Sequence, residues 1–179
     1  MGHFYFVRHG QTVWNVENKI CGATESPLTE RGHRQAEETG KKILEQGICV
    51  DEILCSPLSR AKDTATHIAE ILEVPLREEP RLFEQNFGKY EGTARDGKEF
   101  YEDKKNFVCS YDGGESMMKV AHRVYGLLDE ITAQDEKTYL LVAHNGIARI
   151  VESYFRDMTN EEFSAFGVPN CCVREYPYD

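Results

Sequence analysis

The sequence contains no apolar run long enough to span a bilayer, and its N-terminus lacks the basic-then-apolar pattern of a secretory signal. Both absences predict a soluble, cytoplasmic protein with no membrane partner. Cysteine is present but unorganised: Cys21, Cys49, Cys55, Cys109, Cys171 and Cys172 form neither a CxxC pair nor the dense framework of a small secreted scaffold. Reduced thiols are expected, and no metal site. The vicinal Cys171-Cys172 pair reads as sheet packing, because neighbours on a strand point to opposite faces. Basic residues are the minority, 21 Lys and Arg against 31 Asp and Glu, and the formal charge of −10 disfavours nucleic acid as a partner. An anionic small molecule then requires a locally positive pocket. Repeats, low-complexity tracts and linkers are also missing, so residues 1–179 read as a single domain. Nothing in the pattern fixes an oligomeric state.

What the chain does have is strands alternating with helices. Phe4 to Val7 is apolar at every position, which suits a strand buried on both faces of a parallel sheet. Thr29 to Gln46 has an N-cap residue at its start, Ala36, Ile43 and Leu44 at helical spacing, and Gly47 as a stop. Glu52 to Ser56 reads as a second strand, and Leu58, Ala61, Ala65, Ile68, Ala69 and Leu72 make the stripe of a second helix ended by Pro75. Leu76 to Glu78 is a brief third strand. Residues 84 to 114 are irregular, with one short helix around Glu99 to Asn106. Val120 to Ile131 forms a long amphipathic helix, Tyr139 to Ala143 a buried strand, Gly146 to Phe155 a helix and Cys171 to Tyr176 a last strand. Each parallel connection needs a crossover, so the expected fold is α/β: a three-layer α/β/α sandwich around a mainly parallel sheet.

Ligands in such sheets gather beyond the carboxyl ends of the strands. The first strand ends in Arg8-His9-Gly10, the second runs into Ser56-Pro57-Leu58-Ser59-Arg60, and the fourth into His144-Asn145-Gly146. Glu84 follows the third strand. Guanidinium groups such as Arg8 and Arg60 grip a phosphate dianion in two places, and the N–H groups of the helices after residues 57 and 145 can add donors. A neutral His9 can attack phosphorus, nearby cations oppose its protonation, and a protonated His144 can stabilise the transferring charge. Glu84 can protonate the leaving alkoxide and later deprotonate water, with Glu91 as the rival carboxyl group. Asn15 either contributes a contact to the site or caps a local turn. His3, His33, His67 and His122 receive no role.

Several segments, taken in order, resemble the histidine phosphatase superfamily, also called the phosphoglycerate mutase-like superfamily. Arg8-His9-Gly10 with Thr12 and Asn15 comes first, then Ser26-Pro27-Leu28-Thr29 with Gly32 and Gln35-Ala36. Ser56-Pro57-Leu58 with Arg60-Ala61 and Thr64-Ala65 follows, then Glu84 with Gly88 and Glu91-Gly92, Gly114-Glu115-Ser116, and Ala143-His144-Asn145-Gly146. The resemblance covers nearly the whole chain. It implies a phosphorylated His9, a phosphate pocket of Arg8, Arg60 and His144, a supporting contact from Asn15, Glu84 as proton donor, and catalysis with no metal and no cofactor. Asn145 stands where many relatives carry glycine, which bears on its backbone contact to phosphate.

Only residues 89 to 113 separate Gly88 from Gly114, whereas mutase-like relatives carry a longer covering insertion. A short cover admits water and favours a phosphatase acting on a small phosphorylated metabolite, such as a sugar, glycerate or nucleoside-like ester. A primer-dependent mutase and a non-catalytic phosphate-ester binding protein are the alternatives. Tyr90, Phe100, Tyr101 and Phe107 lie in the covering segment, as pocket selectors or as packing, and Trp14 reads as packing.

Overall fold

The apolar run at the N-terminus is continuous because both of its faces are covered. The computed structural model describes residues 2–134 and 136–179, in which strand β1 spans Gly2–Arg8. Phe4 and Phe6 point into one core layer, and Tyr5 and Val7 into the other. The same alternation runs through β2 (Glu52–Cys55) and β4 (Tyr139–Ala143): Leu54 and Leu141 join the first layer, and Ile53, Cys55, Leu140 and Val142 join the second.

Five strands form one sheet in the order β3-β2-β4-β1-β5, with β3 at Leu76–Glu78 and β5 at Val173–Tyr178. The first four are parallel and β5 runs antiparallel to β1. Helices α2 (Glu30–Glu45) and α3 (Ser59–Leu72) cover one face. Helices α5 (Met117–Thr132) and α6 (Asn145–Phe155) cover the other, which completes the expected three layers. Thr29 caps α2 by accepting the Gly32 N–H, as its position before the helical pattern predicts. Among the described residues no helix is long and apolar enough to cross a membrane.

Of three further short helices, two escaped the sequence pattern. Helix α1 is Val13–Val16, α4 is Lys98–Asp103 and α7 is Asn160–Ala165. Helix α4 lies at the expected place but ends before Asn106. A turn of 3₁₀ helix at Gly88–Tyr90 precedes it, and Tyr90, Phe100 and Tyr111 pack with Phe87 into a small aromatic core of their own. Gly88 is the residue this turn requires: its φ is +52°, and a Cβ there would lie 2.0 Å from the Tyr111 carbonyl oxygen.

The last strand starts two residues later than expected. Cys171 sits at φ +58°, outside the sheet, and its N–H donates to the Arg8 carbonyl at 2.8 Å. The Cys171-Cys172 pair is therefore a turn that ties the C-terminal segment to the end of β1, and its sulfurs are not ladder residues on opposite faces.

Candidate active site

Register places the functional side chains. Arg8 pairs with Ala143 across β1 and β4, and Cys55 pairs with Val142 across β2 and β4. The ladder runs one residue further at each end, with His9 N–H donating to Ala143 O at 2.9 Å and Ser56 N–H to Val142 O at 3.0 Å. Since β4 lies between β2 and β1, His144 emerges between Ser56 and His9. The two imidazoles stand 5.2 Å apart between centroids, and His144 Nε2 meets Ser56 Oγ at 2.7 Å.

His9 is buried and lines a cavity of about 160 Å³. Its Nδ1 lies 2.7 Å from the Gly10 carbonyl oxygen, which can only accept, so Nδ1 carries the proton and Nε2 the lone pair. Burial, then the charges of Arg60 and Arg8, hold the imidazole well below its usual pKa. A neutral ring with its free nitrogen fixed by the opposite hydrogen bond is what nucleophilic attack needs. Gly10 allows this loop to nest: its N–H donates to Thr64 Oγ1 on α3, and a Cβ there would lie 2.5 Å from the Gly32 carbonyl oxygen on α2.

His144 departs from the expectation of a protonated ring. Burial, Arg60 and His9 push it well below the usual range, so it is neutral in the ligand-free site, with Nδ1 buried and unpartnered. Arg60 also differs from a simple phosphate grip. It is 1 % exposed, donating from its two terminal nitrogens to Thr24 O at 2.9 Å and Gly22 O at 2.6 Å, and it acts from behind the cavity wall as a fixed charge. Arg8 lines the cavity itself, with Nη1 donating to Val168 O at 2.6 Å and Nε unpartnered. Burial and Arg95 lower its pKa to about 10.

The two rival carboxyl groups separate cleanly. Glu84 lines the cavity, accepting from Gln85 N–H at 2.8 Å and Gly146 N–H at 3.0 Å, which leaves lone pairs for a proton. Glu91 is a loop clamp, accepting from Gly22, Ala23 and Phe87 N–H groups at 3.1, 2.9 and 3.0 Å. The helix-start donors expected for phosphate are also engaged: the Ser59 N–H donates to Glu25, and the Gly146 N–H to Glu84. Asn145 lines the cavity while its Oδ1 accepts from Val168 N–H at 2.8 Å. Asn15 does both things weighed for it. It completes a capping box with Thr12 at the start of α1, and it lines the cavity.

Other residues were not expected here. Asn170 Nδ2 donates to the His9 carbonyl at 2.8 Å and to Asn15 Oδ1 at 3.3 Å, so the turn before β5 holds the loop that carries His9. Arg95, Lys104 and Arg149 line the cavity beside Cys21, Phe87, Phe100 and Phe166. Burial raises the Cys21 thiol to about 11, so it stays protonated at neutral pH. Of the covering aromatics named from sequence, Phe100 reaches the cavity, Tyr90 packs beneath it, Tyr101 is exposed and Phe107 packs against the α5 side of the main core. Among the described residues no group of three or more His, Cys, Asp or Glu is arranged to hold a metal ion.

The chain that carries these paired histidines, buried arginine charge and one cavity carboxylate matches, over residues 4–179, a family model described as "Histidine phosphatase superfamily (branch 1)". The chain belongs to this superfamily. A curated member, the 2,3-bisphosphoglycerate-dependent phosphoglycerate mutase of Chelativorans sp. (strain BNC1), is 36 % identical over 185 residues, spanning 94 % of this chain and 90 % of its own. Two solved members superpose with a TM-score of 0.83. They are a mycobacterial glucosyl-3-phosphoglycerate phosphatase, 25 % identical and covering 97 % of this chain and 89 % of its own, and the phosphoserine phosphatase of Entamoeba histolytica in complex with 3-phosphoglyceric acid, 27 % identical and covering 98 % and 90 %.

The neutral histidines make the stability of this histidine phosphatase superfamily member pH-dependent in a defined direction. Below an unfolded-state pKa near 6.5 the unfolded chain binds protons that buried His9 and His144 refuse, so stability falls with acidification toward their depressed folded values. Each ring contributes a slope of at most ~1.4 kcal/mol per pH unit. Urea titrations between pH 7.5 and 5.5 check this: His144→Asn is expected to flatten the slope relative to wild type, and an unchanged slope would show the ring to titrate normally.

Proposed function

We propose that the protein is a phosphatase that hydrolyses a small phosphomonoester through a phosphohistidine on His9. The observation that carries this reading is the fixed tautomer of a buried, neutral His9, whose free Nε2 belongs to a ring lining a cavity shared with Arg8 and Glu84. His9 Nε2 bonds to phosphorus as the ester P–O bond breaks, and protonated Glu84 gives its proton to the departing alkoxide. Water then attacks phosphorus, its proton passes to Glu84, the N–P bond breaks, and phosphate leaves with both residues restored. Arg8 and Arg60 supply the positive field, and neutral His144 packs beside His9 behind the cavity lining.

Hydrolysis is favoured over transfer by the short cover. Between Gly88 and Gly114 lie one 3₁₀ turn and the six-residue α4, held by Tyr90 Oη donating to Asp103 at 2.5 Å and Lys89 donating to Glu99 at 2.7 Å. The solved relatives named above are phosphatases, and the curated one is a mutase. The deciding experiment follows the fate of the phosphoryl group. With EDTA present and no bisphosphorylated primer, the protein is expected to release inorganic phosphate from a panel of small phosphomonoesters and from p-nitrophenyl phosphate. Turnover seen only as primer-dependent isomerisation of a phosphoglycerate would establish the mutase instead, and binding without release a non-catalytic protein.

A further inference from the structure

The hydrogen bond that sets the His9 tautomer is made to a backbone carbonyl, so it is only as fixed as the peptide that carries it. That carbonyl belongs to the peptide joining Gly10 to Gln11, with its oxygen 2.7 Å from His9 Nδ1. The other end of the same peptide, the Gln11 N–H, donates to Gln35 Oε1 on α2 at 2.9 Å. Gln35 does not line the cavity, yet one planar peptide joins its side chain to the nucleophile.

In a trans peptide the C=O and N–H point in opposite directions, so a donor on one side and an acceptor on the other select a single orientation. If the plane turned over, the Gln11 N–H would face Nδ1 in place of the carbonyl. Nδ1 would then have to accept, the proton would move to Nε2, and the lone pair needed for attack on phosphorus would be lost. Gly10 supplies one of the two torsions of that rotation and, having no Cβ, restrains it weakly. A stiffer residue does not fit there, because of the Gly32 carbonyl oxygen on α2. The preceding peptide is gripped at both ends: the Gly10 N–H donates to Thr64 Oγ1 at 3.0 Å, and the His9 carbonyl accepts from Asn170 Nδ2 at 2.8 Å. Gln35 supplies the corresponding grip on the next one. The Thr29 N–H, at the cap of the same helix, donates to Gln11 O at 2.9 Å, so both backbone groups of Gln11 are tied to the start of α2.

We infer that Gln35 is a positioning residue for phosphoryl transfer: by holding the peptide between Gly10 and Gln11 it keeps the His9 proton on Nδ1 and the lone pair on Nε2. This role rests on the phosphatase reading above for its kinetic consequence, and deepens it. The tautomer itself is a property of the resting protein and is measured without any substrate.

Two substitutions separate the acceptor from the bulk of the side chain. Gln35→Met keeps an unbranched, helix-favouring chain at a half-buried position and removes the oxygen, whereas Gln35→Glu keeps an oxygen that can accept. Long-range proton–nitrogen correlation spectra of protein with isotope-labelled histidine rings report which ring nitrogen carries the proton, and the His9 signals are assigned by their absence in His9→Ala. Wild type and Gln35→Glu are expected to show His9 protonated on Nδ1, and Gln35→Met to show a large fraction protonated on Nε2. On p-nitrophenyl phosphate, kcat of Gln35→Met is expected to fall about ten- to a hundredfold with KM changed less than about threefold, and Gln35→Glu to recover most of the loss. An unmoved His9 tautomer in Gln35→Met, or equal kcat losses in Gln35→Met and Gln35→Glu, would overturn the positioning role while leaving the phosphatase intact. No phosphate release by wild type from any ester would overturn the phosphatase reading itself, and with it the kinetic role of Gln35, whatever the ring spectra show.

Discussion

His9→Ala is expected to lower phosphate release by at least ~10⁴-fold on every substrate, because a nucleophile that forms a covalent intermediate has no substitute in the cavity. His144 cannot take its place. Its Nε2 is bonded to Ser56 Oγ, and it lies in the neighbouring row of the sheet, behind the cavity lining. The loop that carries His9 is held by backbone and by its neighbours, through His9 N–H to Ala143 O, Gly10 N–H to Thr64 and Asn170 to the His9 carbonyl. The fold should therefore survive the substitution. Brief mixing with a labelled ester followed by alkaline denaturation is expected to leave acid-labile label on wild type and none on His9→Ala. Label retained by the alanine variant would place the nucleophile elsewhere.

Glu84→Gln separates the roles of proton donor and charge. Glutamine keeps an oxygen able to accept the Gln85 or Gly146 N–H, so the local turn is preserved, but it has no proton to deliver. Alkyl phosphates, whose alkoxide leaving group needs that proton, are expected to lose ~10²–10⁴-fold in kcat. p-Nitrophenyl phosphate releases p-nitrophenolate, a stable anion that needs no proton, and is expected to lose much less in the first step, so phosphorylated His9 accumulates because the water that follows still needs its base. Equal losses on both substrates would assign Glu84 to positioning and reopen the search for the acid. Glu91 is not a candidate for that search while its carboxylate closes the Gly22–Ala23 turn.

Sequence reading recovered the sheet and most of its edge for a physical reason. A strand covered on both faces must be apolar throughout, so Phe4 to Val7 and Tyr139 to Ala143 stand out, and whatever polar residues follow them are displayed at the carboxyl edge. His9, Ser56 and His144 were legible in that way. The groups that were not legible act through side-chain geometry that no pattern encodes. Arg60 reads from the sequence as a phosphate grip and instead lies buried behind the cavity wall, because the loop at Gly22 to Thr24 offers it two carbonyl groups. Neutral His144 follows from its burial beside Arg60 and could not follow from its neighbours in the chain. Arg95 and Lys104 lie in the irregular segment, where a cation reads as surface. Arg149 carried a signal that went unused: it is four residues after Asn145 on one helix, hence on the same face. Short helices α1 and α7 hold too few residues to show a period, and the left-handed turn at Cys171 is invisible in a residue type with no preference for it.

The position of β1 in the sheet also governs when the site can exist. The strand is interior, pairing with β4 from Tyr5↔Leu140 onward and with β5 from Gly2↔Tyr178. Both of its partners are thus synthesised long after it, and neither lies nearby in the chain. An apolar strand synthesised long before both of its partners must wait, unpaired, until they follow, and contacts of such long sequence separation form slowly. Arg8 and His9 have no ladder partners until β4 emerges, and Arg8 lacks Val168 and Cys171 until later still. The site is therefore completed only after β4, Val168 and Cys171 have followed, and β1 is the strand left longest without its partners.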